Sequence, residues 1–92
     1  MSMHVEWSRA KAAANLLKHR VDFAEVREAL HDERALTIED PGYEEQRFRS
    51  LVMSPAGTIL MVVYALPDAE TIRLISARKA TRIERLRYFQ EP

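Results

Sequence analysis

Hydrophobic and polar positions change period twice along the chain. From Trp7 to about residue 31 they recur at helical spacing, from about residue 35 to residue 77 they alternate, and from residue 81 helical spacing returns. Ser8 followed by a stretch over 9–19 with four alanines and no Gly or Pro predicts a first helix. Trp7, Ala10, Ala14 and Leu17 share one apolar stripe of it, and Lys11, Asn15, Lys18 and His19 share a polar one. Asp22-Phe23-Ala24-Glu25 reads as a capping box, with Val21 and Val26 as its hydrophobic staple. It opens a short helix over roughly 23–31 that buries Phe23, Val26 and Leu30.

The alternating region divides into strands over 35–39, 46–53, 58–66 and 70–77. Asp40-Pro41-Gly42, Ser54-Pro55-Ala56-Gly57 and Pro67-Asp68-Ala69 supply the breaks between them. Connections this short imply an antiparallel meander. The strand over 58–66 is apolar on both faces, as a central covered strand should be. In the last strand Ile72, Leu74 and Ser76 fall on one face, and Thr71, Arg73, Ile75 and Ala77 on the other. Thr81-Arg82-Ile83-Glu84 is a second capping box, and Ile83, Leu86 and Phe89 follow it at helical spacing. The expected fold is therefore α+β: two N-terminal helices, a four-stranded antiparallel sheet and a C-terminal helix, in one domain over 1–92.

Composition narrows the function classes. With 47% apolar residues in 92, the chain can bury a core. It has no cysteine, which removes disulfides and thiolate metal sites and fits a cytoplasmic setting. The first residues lack the basic start and apolar run of a signal peptide. The longest apolar run, 59–66, is far short of the ~20 residues of a membrane helix.

A formal net charge of zero argues at first against nucleic acid. The charges are segregated, however. Residues 1–19 carry net +2, 20–46 net −6, 47–70 net 0 and 71–92 net +4. If the two ends fold together they form a local positive surface that the total hides.

Several kinds of chemistry lack their residues. Both glycines, Gly42 and Gly57, lie in turns, so there is no phosphate-binding loop. No serine or cysteine nucleophile motif and no metal-ligand spacing is visible, and no cofactor is expected. His4 and His31 are lone histidines suited to surface or capping roles, and Glu25 has a capping role of its own. What remains is basic. Arg47, Arg49 and Arg73 sit at strand positions that can share one sheet face, Arg78 and Lys79 end the last strand, and Tyr88 lies on the last helix. Such a set can cleave RNA by helping the 2′-hydroxyl attack the adjacent phosphorus, because guanidinium groups stabilise charge on the phosphorane oxygens. Arginine does not carry protons, so that task would fall to Lys79, His19, Glu25, Tyr88 or water. The competing interpretation is that these arginines pair with the acidic residues of 32–45.

Glu6-Trp7, Lys11, Asn15, Lys18-His19, Val21, Phe23 and Glu25 resemble the opening motif of the BrnT toxins of BrnT–BrnA type II toxin–antitoxin systems. Glu45-Gln46-Arg47-Phe48 is similar to that family's mid-chain segment. Residues 72–81, with Glu84 and Tyr88, resemble its ending. The resemblance implies a RelE-like fold, metal-independent ribonuclease activity that arrests translation, and inhibition by a BrnA-like antitoxin. Any contact with DNA would then be made only through the antitoxin complex. Arg47, Arg73, Lys79 and Tyr88 become the candidate catalytic residues, and Lys11, Lys18, His19, Arg49 and Arg78 the candidate substrate-binding ones. Two positions depart from the family pattern. Ser8 stands where an Asp is usual, and Arg20 where a Gly is usual and would serve as a left-handed helix cap. The alternative function is a module that binds an acidic or amphipathic partner and cleaves nothing.

Overall fold

A computed structural model describes residues 3–90; Met1, Ser2, Glu91 and Pro92 of the expected 1–92 domain lie outside it. The chain begins with a short strand, β1 (His4–Glu6). Two helices follow, α1 (Arg9–His19) and α2 (Phe23–Ala29). Four strands come next: β2 (Leu36–Asp40), β3 (Gln46–Met53), β4 (Ile59–Asp68) and β5 (Thr71–Lys79). Helix α3 (Arg82–Gln90) closes the described chain.

The sheet corrects the expected fold. It has five strands in the order β1-β5-β4-β3-β2, and β1 runs parallel to β5. The antiparallel meander from β2 to β5 is extended at its β5 edge by the N-terminal strand, so the sheet is mixed. The His4 amide donates to the Glu70 carbonyl at 2.8 Å, which starts that pairing. Three residues are too few to show alternation, so β1 left no periodic trace in the sequence.

Helices α1 and α2 cover one sheet face. Phe23, Val21, Val26 and Ala29 pack there on Val52, Leu60, Val62, Leu74 and Ala77. Helix α3 covers part of the other face, where Tyr88 and Ala80 pack with Leu51 and Ile59.

Helix α1 presents its polar residue inward. Asn15 is buried. Its side-chain amide donates to the carbonyls of Ala77 (2.9 Å) and Val21 (3.0 Å), and its oxygen accepts from the Ala77 amide at 3.0 Å. Because β1 pairs with β5 only at Thr71–Arg73, Ala77 lacks a strand neighbour on that side. The Asn15 amide supplies the missing donor and acceptor. The stripe of Ala10, Ala14 and Leu17 faces solvent instead, with Leu17 78% exposed. Ile83 and Phe89 on α3 are likewise 75% and 63% exposed.

The caps explain the helix ends. Ser8 accepts from the Lys11 amide, and Arg20 takes the left-handed cap conformation at φ 61° and ψ 30° that the sequence departure made costly. Asp22 caps the Ala24 amide rather than the Glu25 amide of the expected box. The second box is complete: the Thr81 amide donates to Glu84 at 2.8 Å, and the Glu84 amide to the Thr81 hydroxyl at 3.2 Å.

Candidate active site

Register decides which side chains can meet. Arg47 on β3 lies opposite Ala65 on β4, Ala65 opposite Arg73 on β5, and Arg73 opposite Glu6 on β1. Directly paired residues point to the same face, so Glu6, Arg73, Ala65 and Arg47 form one row. Ala65 is fully buried between its two long neighbours, and its small side chain leaves room for both guanidinium groups. Two residues further along, Arg49, Val63 and Ser76 form the next row. Arg47, Arg49 and Arg73 therefore share one face, as their strand positions suggested.

That face is the one α3 covers only in part. Leu51 and Met61, in the row below Arg49, pack with α3, whereas the arginine rows lie beyond it. The expected alternation of β5 fails here. Val63 pairs with Ser76 but Tyr64 with Leu74, which leaves Ile75 as a bulge. The bulge turns Ser76 to the open face and Ala77 to the core, the reverse of the strict alternation.

The arginines are paired in the isolated chain. Arg73 Nε donates to Glu6 Oε2 at 3.0 Å, and Arg73 Nη1 lies 3.6 Å from Glu45 Oε2. Arg47 Nε lies 4.0 Å from Glu45 Oε1, buried and without a hydrogen-bond acceptor. The Arg47 guanidinium also stacks 4.1 Å above the Tyr43 ring. Arg49 lies 4.0 Å from Asp40. Three guanidinium groups thus meet three carboxylates, and the open face is close to neutral rather than strongly positive. Half-exposed pairs at such distances are weak, each worth roughly 0–1 kcal/mol, so an anionic ligand can compete for the guanidinium groups.

The other candidates are placed as follows. Lys11, in the first turns of α1, lines a cleft with Glu6, Trp7 and Arg73 and so borders the arginine row. Lys18 and His19 occupy the last turn of α1, about 10 Å further along the helix axis. Since Asn15 binds Ala77, this end of α1 lies away from Arg73. Lys79 pairs with Leu60, whose side chain lies in the α1–α2 core. Register therefore puts Lys79 on the opposite face from Arg47 and Arg73, which corrects the expected grouping.

Arg78 and Tyr88 hold α3 in place. Arg78 donates two hydrogen bonds to Glu84, at 2.8 and 3.0 Å. These bonds, more than the Thr81 amide, lower the Glu84 carboxyl to about 2 against the effect of burial, and they raise Arg78. Tyr88 is buried, and its hydroxyl donates to Asp32 Oδ2 at 2.5 Å. Burial first, and then the Asp32 carboxylate, push that hydroxyl up to about 12. A buried phenol held this way is a poor proton carrier near neutral pH. Asp32 also accepts the Met53 and Arg34 amides. Burial pushes its carboxyl up, but the bonds from Tyr88 and the two amides outweigh this and hold it below its ordinary value.

The structure adds two residues that sequence reasoning gave no role at the site, Glu6 and Glu45. The signal was present, since both belong to the segments that carry the family resemblance. Glu45 lies within ion-pair distance of Arg47 and Arg73 alike, so the arrangement can grip an anion and take up a proton at one place.

An α+β domain with a half-covered sheet face bearing converging arginines and carboxylates defines a class by its fold, the small domains of mixed sheet and helix. The family model for "Ribonuclease toxin, BrnT, of type II toxin-antitoxin system" matches residues 7–84, and the chain belongs to this family. The crystal structure of the Brucella abortus ribonuclease toxin, BrnT, at 1.1 Å resolution is similar in fold. It superposes with a TM-score of 0.66 at 23% identity, over 88% of this chain and 100% of that one. No curated protein matches the chain. Among the described residues no helix is long and apolar enough to cross a membrane.

Proposed function

We propose that this chain is a ribonuclease toxin that cleaves RNA at the Arg47–Arg73 row without a metal ion and thereby arrests translation in the cytoplasm. The observation that carries the reading is the position of Glu45, 3.6 Å from Arg73 and 4.0 Å from Arg47 on an open sheet face. A phosphodiester gripped by the two guanidinium groups presents its neighbouring 2′-hydroxyl to that carboxylate. Glu45 accepts the hydroxyl proton while the 2′-oxygen bonds to phosphorus. The phosphorus–5′-oxygen bond breaks, the leaving oxygen takes a proton from water, and a 2′,3′-cyclic phosphate remains. Arg47 and Arg73 stabilise the extra charge of the phosphorane, and Arg49 and Lys11 hold flanking phosphates.

Family membership implies an antitoxin, and we assign the partner to a BrnA-like protein. The exposed Leu17, Ile83 and Phe89 supply apolar surface that such a partner would cover. Induced expression should stop growth and deplete RNA, and co-expression with the antitoxin should reverse both. Purified protein should cleave RNA equally well with and without a chelator. Growth and RNA left intact on expression would favour the non-catalytic binding module.

A further inference from the structure

Beside the arginine rows lies a groove of about 450 Å³ between the sheet and α3. Its floor is aliphatic. Leu36 and Ile38 come from β2, Leu51 from β3 and Met61 from β4. Its rim is cationic, with Arg49 toward the arginine row and Arg87 on α3. Glu84 also lines it, but the two hydrogen bonds from Arg78 and one from the Thr81 amide already occupy that carboxylate. Asp40 lies 4.0 Å from Arg49 in a partly exposed pair, too loosely held to fix that guanidinium. Ile38 is 58% exposed, although its neighbours in the groove belong to a packed cluster.

From this geometry we infer that the groove is a base-binding subsite, which takes one unpaired nucleobase of the RNA, the base next to the flanking phosphate at Arg49, one row from the Arg47–Arg73 row. The inference rests on the ribonuclease reading for its RNA ligand. Three features point to a base. First, Arg49 belongs both to the arginine face and to the groove rim, so a chain whose phosphate lies on the arginines continues into the groove. The rows containing Arg49 and Leu51 are two strand residues apart, about 6.8 Å, a short step from a phosphate to an attached base. Second, the volume falls in the range of small-ligand pockets, ~300–1,000 Å³, which suits a flat ring system. Third, an aliphatic floor under a guanidinium wall matches a base, whose faces are apolar and stack on arginine. A purely apolar peptide side chain would use the floor but neither arginine. The floor offers few polar groups to read base edges, so the subsite favours a splayed, single-stranded base over any one sequence.

The test is titration of the full chain with adenosine 3′-monophosphate and, separately, with ribose 5-phosphate, followed by amide and methyl NMR shifts. The nucleotide should shift Ile38, Leu51 and Met61 together with Arg49, whereas the baseless sugar phosphate should leave the three floor residues unmoved. Ile38 lies directly opposite Arg49, so the variant must add no charge. Ile38→Gln alters an exposed position, so it should fold normally, and it should weaken nucleotide binding by about fivefold or more while leaving ribose phosphate unaffected. The inference is overturned by nucleotide shifts confined to Arg47 and Arg73, by equal binding of both probes, by unchanged binding in Ile38→Gln, or by a groove that answers only to an antitoxin peptide. The two readings fail separately. Floor shifts in a protein that cleaves no RNA would remove the ribonuclease reading and keep the base site. Cleavage without floor shifts would do the opposite.

Discussion

The half of the sheet face beneath α3 and the half beyond it are built by the same strands, β3, β4 and β5. Beneath α3, Leu51, Ile59 and Met61 pack with Tyr88 and Ala80 into an apolar cluster. One and two rows away, the same faces of the same strands carry Arg49 and Ser76 and then Arg47 and Arg73. Strand alternation alone therefore does not decide whether a position is core or site. The extent of α3 does. Its nine residues span about 13.5 Å, enough to cover one end of the face and leave the other open. The covered half fixes the geometry of the open half, because α3 is anchored through Asp32 and Glu84 to the sheet and its loops.

The sharpest way to break this comparison is to place a charge in each half. Leu51→Arg buries an unpaired cation under α3 and should cost about 3–5 kcal/mol, a large share of the ~5–15 kcal/mol that holds a domain folded. Val63→Arg, in the open row between Arg49 and Ser76, should change stability by less than about 1 kcal/mol. Urea denaturation of the two variants checks this, and similar costs would mean that the open half is not open.

Asp32→Ala comes next in size. It removes the acceptor for the buried Tyr88 hydroxyl and for the Met53 amide, and should cost about 2–3 kcal/mol by thermal or urea unfolding. A loss below ~0.5 kcal/mol would show that α3 is held by its apolar contacts alone.

Acid should loosen the covered half by a smaller amount. The Glu84 carboxyl titrates at about 2 in the folded chain, below the ~4.3 of an unfolded glutamate. On acidification the unfolded chain takes up this proton first. The stabilisation is therefore complete above about pH 5 and is lost as the pH falls toward 2. Asp32, also held low, acts in the same direction. The melting temperature of wild type should exceed that of Glu84→Gln at pH 7, and the gap should narrow toward pH 2.5. A gap independent of pH would contradict the role of the Glu84 charge.

Much of this was legible in the sequence, and the failures have physical causes. The helix over 9–19, the Thr81–Glu84 box and the shared face of Arg47, Arg49 and Arg73 followed from caps and period. Strand β1 did not, because three residues have no period and its parallel partner lies 67 residues away. The Ile75 bulge shifted Ser76, Ala77, Arg78 and Lys79 by one face, so Lys79 was grouped with the wrong side of the sheet. Asn15 looked like part of a polar stripe, but one unsatisfied strand edge at Ala77 draws it inward. Tyr88 looked available because the partner that holds it, Asp32, lies in a loop that no periodicity describes. Glu6 and Glu45 belong to the segments that carry the family resemblance but show no chemical signal in the sequence, since only the folded chain brings them to either side of Arg73.

The central claim is that the open half of the sheet face cleaves RNA. The direct measurement is the RNA-cleavage rate of Arg73→Ala beside its melting temperature. Losing one guanidinium that meets developing charge should lower the rate by about 10²–10³. Arg73 is exposed and its ion pairs are half-solvated, so the stability should stay within ~0.5 kcal/mol of wild type. Cleavage at the wild-type rate, or a collapse of stability with the mutation, would show that Arg73 is only a structural ion pair and that the open half is not the active site.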